Sequence, residues 1–176
     1  MKIVFESHST TIDNEKRLCS GWNDVALSPK GEEQSVELGA RYSLDELDAV
    51  YTADLQRGYR TAQLAFPNIS PSKLRMDWRL REVDYGDLTL QPREVVDPLR
   101  IQHIHEPFPN GKSFEQMLGY MESFIDDLRE GQFSRVMIIG SRATHYGLDV
   151  HILGRSIEDC INKKFEWQPG WEYELK

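Results

Sequence analysis

His8 is the side chain in this sequence best placed to do chemistry. It follows the short apolar run Ile3-Val4-Phe5, inside the polar stretch Ser7-His8-Ser9-Thr10-Thr11. An imidazole at the end of a strand stands at the sheet's edge, where it can attack, move a proton or ligate near physiological pH. By itself it reads better as an ordinary loop histidine, and its companions change that balance. The other candidate clusters offer less. Asn110-Gly111-Lys112-Ser113 ends like a phosphate-cradling loop, but the glycine required five residues before Gly111 is Glu106 and no strand leads in. A turn into a capped helix is expected there, not an ATP site. His103 and His105 merely alternate, and His145 and His151 lie six apart on an expected helix, which at about 100° per residue turns them to different faces. No metal site and no cofactor are expected. Asn68-Ile69-Ser70 fits a glycosylation triplet without meaning in a cytosolic chain. Cys19 and Cys160 allow at most one bridge and lack metal-ligand spacing, so they read as reduced, structural thiols.

The elements that must position His8 are legible as an alternation of strand, long loop, helix, strand, helix, irregular segment, helix, strand and helix. Ala49-Val50-Tyr51 is a second strand after a helix that starts at Ser28-Pro29, a cap followed by proline at the first helical position, and carries Val36, Leu38 and Tyr42. Ser113 caps a later helix whose Phe114, Met117, Leu118, Met121, Phe124, Ile125 and Leu128 recur every three or four residues, a stripe that belongs in the core. Val136-Met137-Ile138-Ile139-Gly140 is continuously apolar, as a strand covered on both faces must be, and should be central in a parallel sheet. Ser141-Arg142-Ala143-Thr144 then falls where a strand's carboxyl end passes into a helix, the usual ligand position of open α/β sheets. The least regular stretch, about 88–112, is read as a short cap beside the site.

A chain of 176 residues with 39% hydrophobic and 28% charged residues suffices for one folded domain, taken here as 1–176. Its net charge of −8 sets the mean field against nucleic acid and anionic membranes. The amino terminus turns polar after three apolar residues, unlike a secretory signal or a membrane span, so a cytoplasmic setting is expected.

Separated motifs, taken together and in order, resemble the histidine phosphatase superfamily, also called phosphoglycerate mutase-like. The family's Arg-His-Gly-x-Thr-x-x-Asn corresponds to Ser7-His8-Ser9-Thr10-Thr11-Ile12-Asp13-Asn14, which keeps His, Thr and Asn but not Arg and Gly. Gly21-Trp22-Asn23-Asp24, Leu27-Ser28, Gly31 and Gln34 are similar to its Gly-x-x-Asp, Leu-Thr/Ser and Gly-x-x-Gln segment. Tyr51 to Ala62 is similar to Ser-x-Leu-x-Arg-Ala-x-x-Thr-Ala, with Arg57 at the phosphate-binding arginine, and Leu80 to Asp87 to Leu-x-Glu-x-x-x-Gly, with Glu82 at the acid position. The last motif, strand-His-Gly or Gly-His-Arg-Ala-Thr in a bacterial branch, falls at Gly140-Ser141-Arg142-Ala143-Thr144, and the tail Trp167 to Tyr173 resembles that branch. Ser141 therefore stands at the second active-site histidine.

The resemblance implies a three-layer α/β/α sandwich with a mostly parallel sheet. It implies a phosphohistidine on His8, phosphate held by Asn14 and Arg57, and Glu82 as the acid that protonates the leaving alkoxide. Our own addition is Arg142, whose guanidinium at a helix amino terminus would face the phosphate and replace the positive charge lost at Ser7. Ser141 cannot carry an imidazole's charge, so turnover is expected to suffer by about two to three powers of ten. The expected activity is hydrolysis of small phosphorylated metabolites, because the 31 positions from Glu82 to Ser113 leave room only for a short cap over an open pocket. The alternative is an inactive module that binds phosphorylated ligands or proteins.

Overall fold

The computed structural model describes residues 1–176. Ile3, Val4 and Phe5 form a strand, β1 (Lys2–Ser7), because helices wait on both sides of it to bury alternate residues. The remaining strands are β2 (Ala49–Thr52), β3 (Leu74–Met76), β4 (Arg135–Gly140) and β5 (Trp171–Glu174), in the order β3-β2-β4-β1-β5. All pairs are parallel except β5, which runs antiparallel to β1 at one edge. The continuous apolar run of β4 is the central strand, as its composition requires.

The helices are α1 (Ile12–Glu15), α2 (Pro29–Gly39), α3 (Gln56–Ala65), α4 (Arg93–Val96), α5 (Phe114–Glu130), α6 (Arg142–Leu153) and α7 (Ile157–Asn162). On one face of the sheet Val4, Val50, Met137 and Ile139 pack with Leu38 of α2 and with Ala62 and Ala65 of α3. On the other, Ile3, Phe5, Tyr51, Val136 and Ile138 pack with α5 and α6. The result is the expected three-layer α/β/α architecture. No helix is long and apolar enough to cross a membrane.

Ser28 caps α2 through Gly31 N–H with Pro29 at the first position, and Ser113 and Gln116 form a reciprocal capping box on α5. Six residues of the α5 stripe are buried, while Leu118 packs against the core from its margin. The α2 reading needs correction at Tyr42, because the helix ends at Gly39; it does carry Val36, which is 59% exposed, and Leu38, which is core. Tyr42 instead donates its hydroxyl to the buried carboxylate of Glu6. The 88–112 stretch holds α4 and a 3-10 turn, Asp97–His103, and sinks Val96, Ile104 and Phe108 into the core.

Register matters for function. Ser7 lies opposite Gly140, and Thr52 opposite Ile139, so β1, β4 and β2 end side by side. Whatever follows those strands is gathered along one edge of the sheet.

Candidate active site

The loop that leaves β1 is fixed from below by α2 and α3. His8 N–H donates to Gly140 O at 2.8 Å, Ser9 N–H to Thr61 Oγ1 at 3.1 Å, and Ser35 donates its hydroxyl to Ser9 at 2.8 Å. Thr10 is gripped at both ends, since its N–H donates to Gln34 Oε1 at 3.1 Å and its carbonyl accepts Ser28 N–H at 3.0 Å. Gly31 allows this approach, because a Cβ there would lie 1.9 Å from Thr10 O. The Gly31 and Gln34 motif is thus a clamp on the residues beside His8. Thr11 and Asn14 form a reciprocal capping box at α1 that occupies the Asn14 carbonyl oxygen.

The His8 ring places Nδ1 2.8 Å from Ser9 O. A carbonyl only accepts, so the neutral ring keeps its proton on Nδ1 and its lone pair on Nε2. Neutrality is enforced: burial, and after it the Arg57 charge, pulls the imidazole from 6.5 to about 3.

Arg57 is 4% exposed in the first turn of α3. Its Nη1 donates to Asn23 O at 2.8 Å and its Nη2 to Gly21 O at 2.7 Å, so two carbonyls aim the fork. Burial lowers its pKa, but a guanidinium starts so high that it stays charged. The same Gly21-to-Asp24 loop also steadies its neighbours. Trp22 Nε1 donates to Glu82 O at 2.7 Å, and Asp24 accepts Gln56 N–H at the start of α3 at 2.8 Å. Glu82 accepts Val83 N–H on Oε1 at 2.9 Å, and its Oε2 lies 3.4 Å from Ala143 N.

Ser141 is the cap of α6. Its hydroxyl lies 3.4 Å from Thr144 N and 3.1 Å from Thr144 Oγ1, and its N–H donates to Thr144 Oγ1 at 3.0 Å, so it is spent on holding the helix start. Arg142, the next residue, makes no ion pair; its guanidinium carbon sits 5.2 Å over the ring of Phe165.

His8, Asn14, Arg57, Glu82, Ser141 and Arg142 all line one cavity of about 330 Å³. Sequence reasoning missed four more of its lining residues, Arg93, Arg100, Tyr85 and Phe165. Arg100 is 6% exposed; its Nη2 donates to the Tyr85 hydroxyl at 2.9 Å and lies 3.0 Å from Asp97, while its Nε has no partner. Burial pushes the Tyr85 phenol well up, so it stays neutral. Four guanidinium groups therefore face a cavity with one carboxylate, Glu82, in a chain of net charge −8. Such a cavity concentrates anions and matches planar donors to phosphoryl oxygens. The only available signal was two arginines in the cap segment, which carries no periodicity. The histidines considered for metal go separate ways: His145 Nε2 lies 3.8 Å from Asp149, His151 Nε2 2.9 Å from Leu118 O, and His103 stacks on Phe108. Cys19 and Cys160 are free and buried.

The fold resembles that of Bacillus stearothermophilus YhfR, with a TM-score of 0.83 at 19% identity over 99% of this chain and 94% of that one. A Hydrogenobacter thermophilus protein provisionally named phosphoserine phosphatase 2 is 23% identical over 92% of this chain and 83% of its own length. The 2,3-bisphosphoglycerate-dependent phosphoglycerate mutase of Streptococcus gordonii is 36% identical over 60% of this chain and 48% of its own, so this chain spans about half the length of that mutase. Residues 3–166 match the model of the histidine phosphatase superfamily, branch 1, and the chain belongs to that family.

Proposed function

We propose that this chain hydrolyses small phosphomonoesters through a phosphohistidine on His8. The observation that carries the reading is a neutral histidine with its lone pair on Nε2, in the same cavity as a buried arginine whose fork is aimed by two carbonyls. Nε2 attacks phosphorus as the bond to the leaving oxygen breaks, and protonated Glu82 gives its proton to that oxygen. Water then gives a proton back to Glu82 and attacks phosphorus. The phosphorus–nitrogen bond breaks, releasing inorganic phosphate and neutral His8. Arg57, Asn14 and Arg142 bind the equatorial oxygens, where charge collects. Arg93 and Arg100 add more positive charge than one phosphate needs, which favours leaving groups that bear an anionic substituent.

Ser141 supports a second reading, a binder of phosphorylated ligands with little turnover, because its hydroxyl is committed to Thr144 and brings no charge. Incubation with a panel of radiolabelled phosphomonoesters, with and without a carboxylate, separates the two. Hydrolysis predicts acid-labile, base-stable label that disappears in His8→Gln, together with released phosphate. Binding without label on His8 would refute it.

A further inference from the structure

Arg142 occupies the first position of α6, two residues past the end of β4, in the lining that also includes His8 and Arg57. Its side chain has no carboxylate within ion-pair distance and no hydrogen bond inside the protein; the contact that orients it is the face of Phe165, at 5.2 Å. A cation–π contact restrains the guanidinium without consuming any of its five N–H donors. Phe165 comes from elsewhere in the chain, the stretch joining α7 to β5. It stands edge-on to the buried His145 ring at 6.4 Å and against Trp171 at 6.0 Å, so the seat of Arg142 is itself braced.

We infer that Arg142, laid on the face of Phe165, gives the transferring phosphoryl group the positive charge that an imidazole at position 141 would give. The inference rests on the hydrolytic reading and deepens it. Ser141 leaves the strand end without a charge of its own, and Arg142 is the adjacent cation whose donors nothing in the protein occupies. Arg142 is then a catalytic residue, and Phe165 a positioning residue that holds the fork in place before substrate arrives. Preorganisation matters because a free arginine forfeits much rotamer freedom when it orders on a ligand.

The test is a cycle of Arg142→Ala and Ser141→His, singly and together, with kcat and KM measured on one phosphomonoester and folding checked by circular dichroism. Arg142→Ala is expected to lower kcat/KM about 100-fold in the parent chain and at most about tenfold in the Ser141→His background. Phe165→Leu, which keeps bulk but removes the π face, lowers kcat more than it raises KM, and Phe165→Tyr restores it. Equal Arg142→Ala losses in both backgrounds, or no loss, overturn the inference. Should the parent chain neither turn over nor take label on His8, the hydrolytic reading fails separately. The charge is then read from orthovanadate affinity in the same variants: at least tenfold weaker binding in Arg142→Ala supports it, and unchanged binding overturns it.

Discussion

Gly31→Ala tests whether the clamp on the His8 loop sets activity. The added Cβ would lie 1.9 Å from Thr10 O, where real Cβ contacts essentially never fall below 3.0 Å. Either Thr10 or the start of α2 must therefore move by about 1.1 Å, straining the bonds from Ser28 N–H and to Gln34 Oε1. Thr10 is two residues from His8, and a misplacement of about 1 Å at reacting groups can cost about 100-fold in rate. Overpacking costs about 1–3 kcal/mol, offset by about 1 kcal/mol because alanine favours the helix. Gly39→Ala is the matched control. At the far end of the same helix its Cβ would meet Ala65 O at 2.0 Å, an equal clash remote from His8. Urea midpoints and kcat/KM on one phosphomonoester should show both variants destabilised, with activity falling about 100-fold only in Gly31→Ala. Wild-type activity in a folded Gly31→Ala, or an equal loss in Gly39→Ala, would refute the argument.

Arg57→Lys keeps the charge but loses the two-carbonyl seat and the planar fork; kcat/KM should fall about 100- to 1000-fold, and a loss below fivefold would show that a point charge suffices. With His8 held near 3, the free enzyme's kcat/KM should show no histidine inflection near pH 6.5, and one that vanishes in His8→Gln would contradict the neutral-nucleophile account. Stability carries the same sign. The unfolded imidazole takes up a proton between pH 6.5 and about 3 while the folded one does not, so the His8 contribution is complete above 6.5 and is lost as pH falls through that window. His8→Gln should flatten the decline of the urea midpoint between pH 7 and 5, leaving the part owed to His145, which burial also lowers; an unchanged slope would count against it.

Much of the frame was legible because it follows from local rules. Ser28-Pro29 and the Ser113 to Gln116 box announce helix starts, and the apolar run of β4 announces a central strand. The motif residues proved informative for a reason the sequence does not display. Gly31 and Gln34 touch Thr10, while Gly21 and Asn23 hold Arg57, each across a gap of more than twenty residues. Val36 meets water because it stands two residues from Leu38, about 200° round α2 from the face that Gly31, Ser35 and Leu38 bury. Arg93, Arg100 and Phe165 were invisible because they enter the site from segments without periodicity, placed only by tertiary packing of their neighbours Val96, Ile104 and Trp171.

Ser141 shows why one substitution bears on stability and chemistry together. As the cap of α6 it satisfies a helix-start N–H, and losing such a cap costs about 0.5–2 kcal/mol. An imidazole there would trade part of that cap for a charge facing His8. The protein has the opposite arrangement, with a helix start closed by hydroxyls, Thr144 Oγ1 tied onward to Leu80 O at 2.9 Å, and positive charge displaced one residue along to Arg142. Leu80 closes the 3-10 turn Trp78–Leu80, two residues before Glu82, so the cap also braces the backbone that leads to Glu82. A Ser141→His variant should therefore disturb Glu82 as well as add a cation, and its gain in rate should fall short of what the restored charge alone would give.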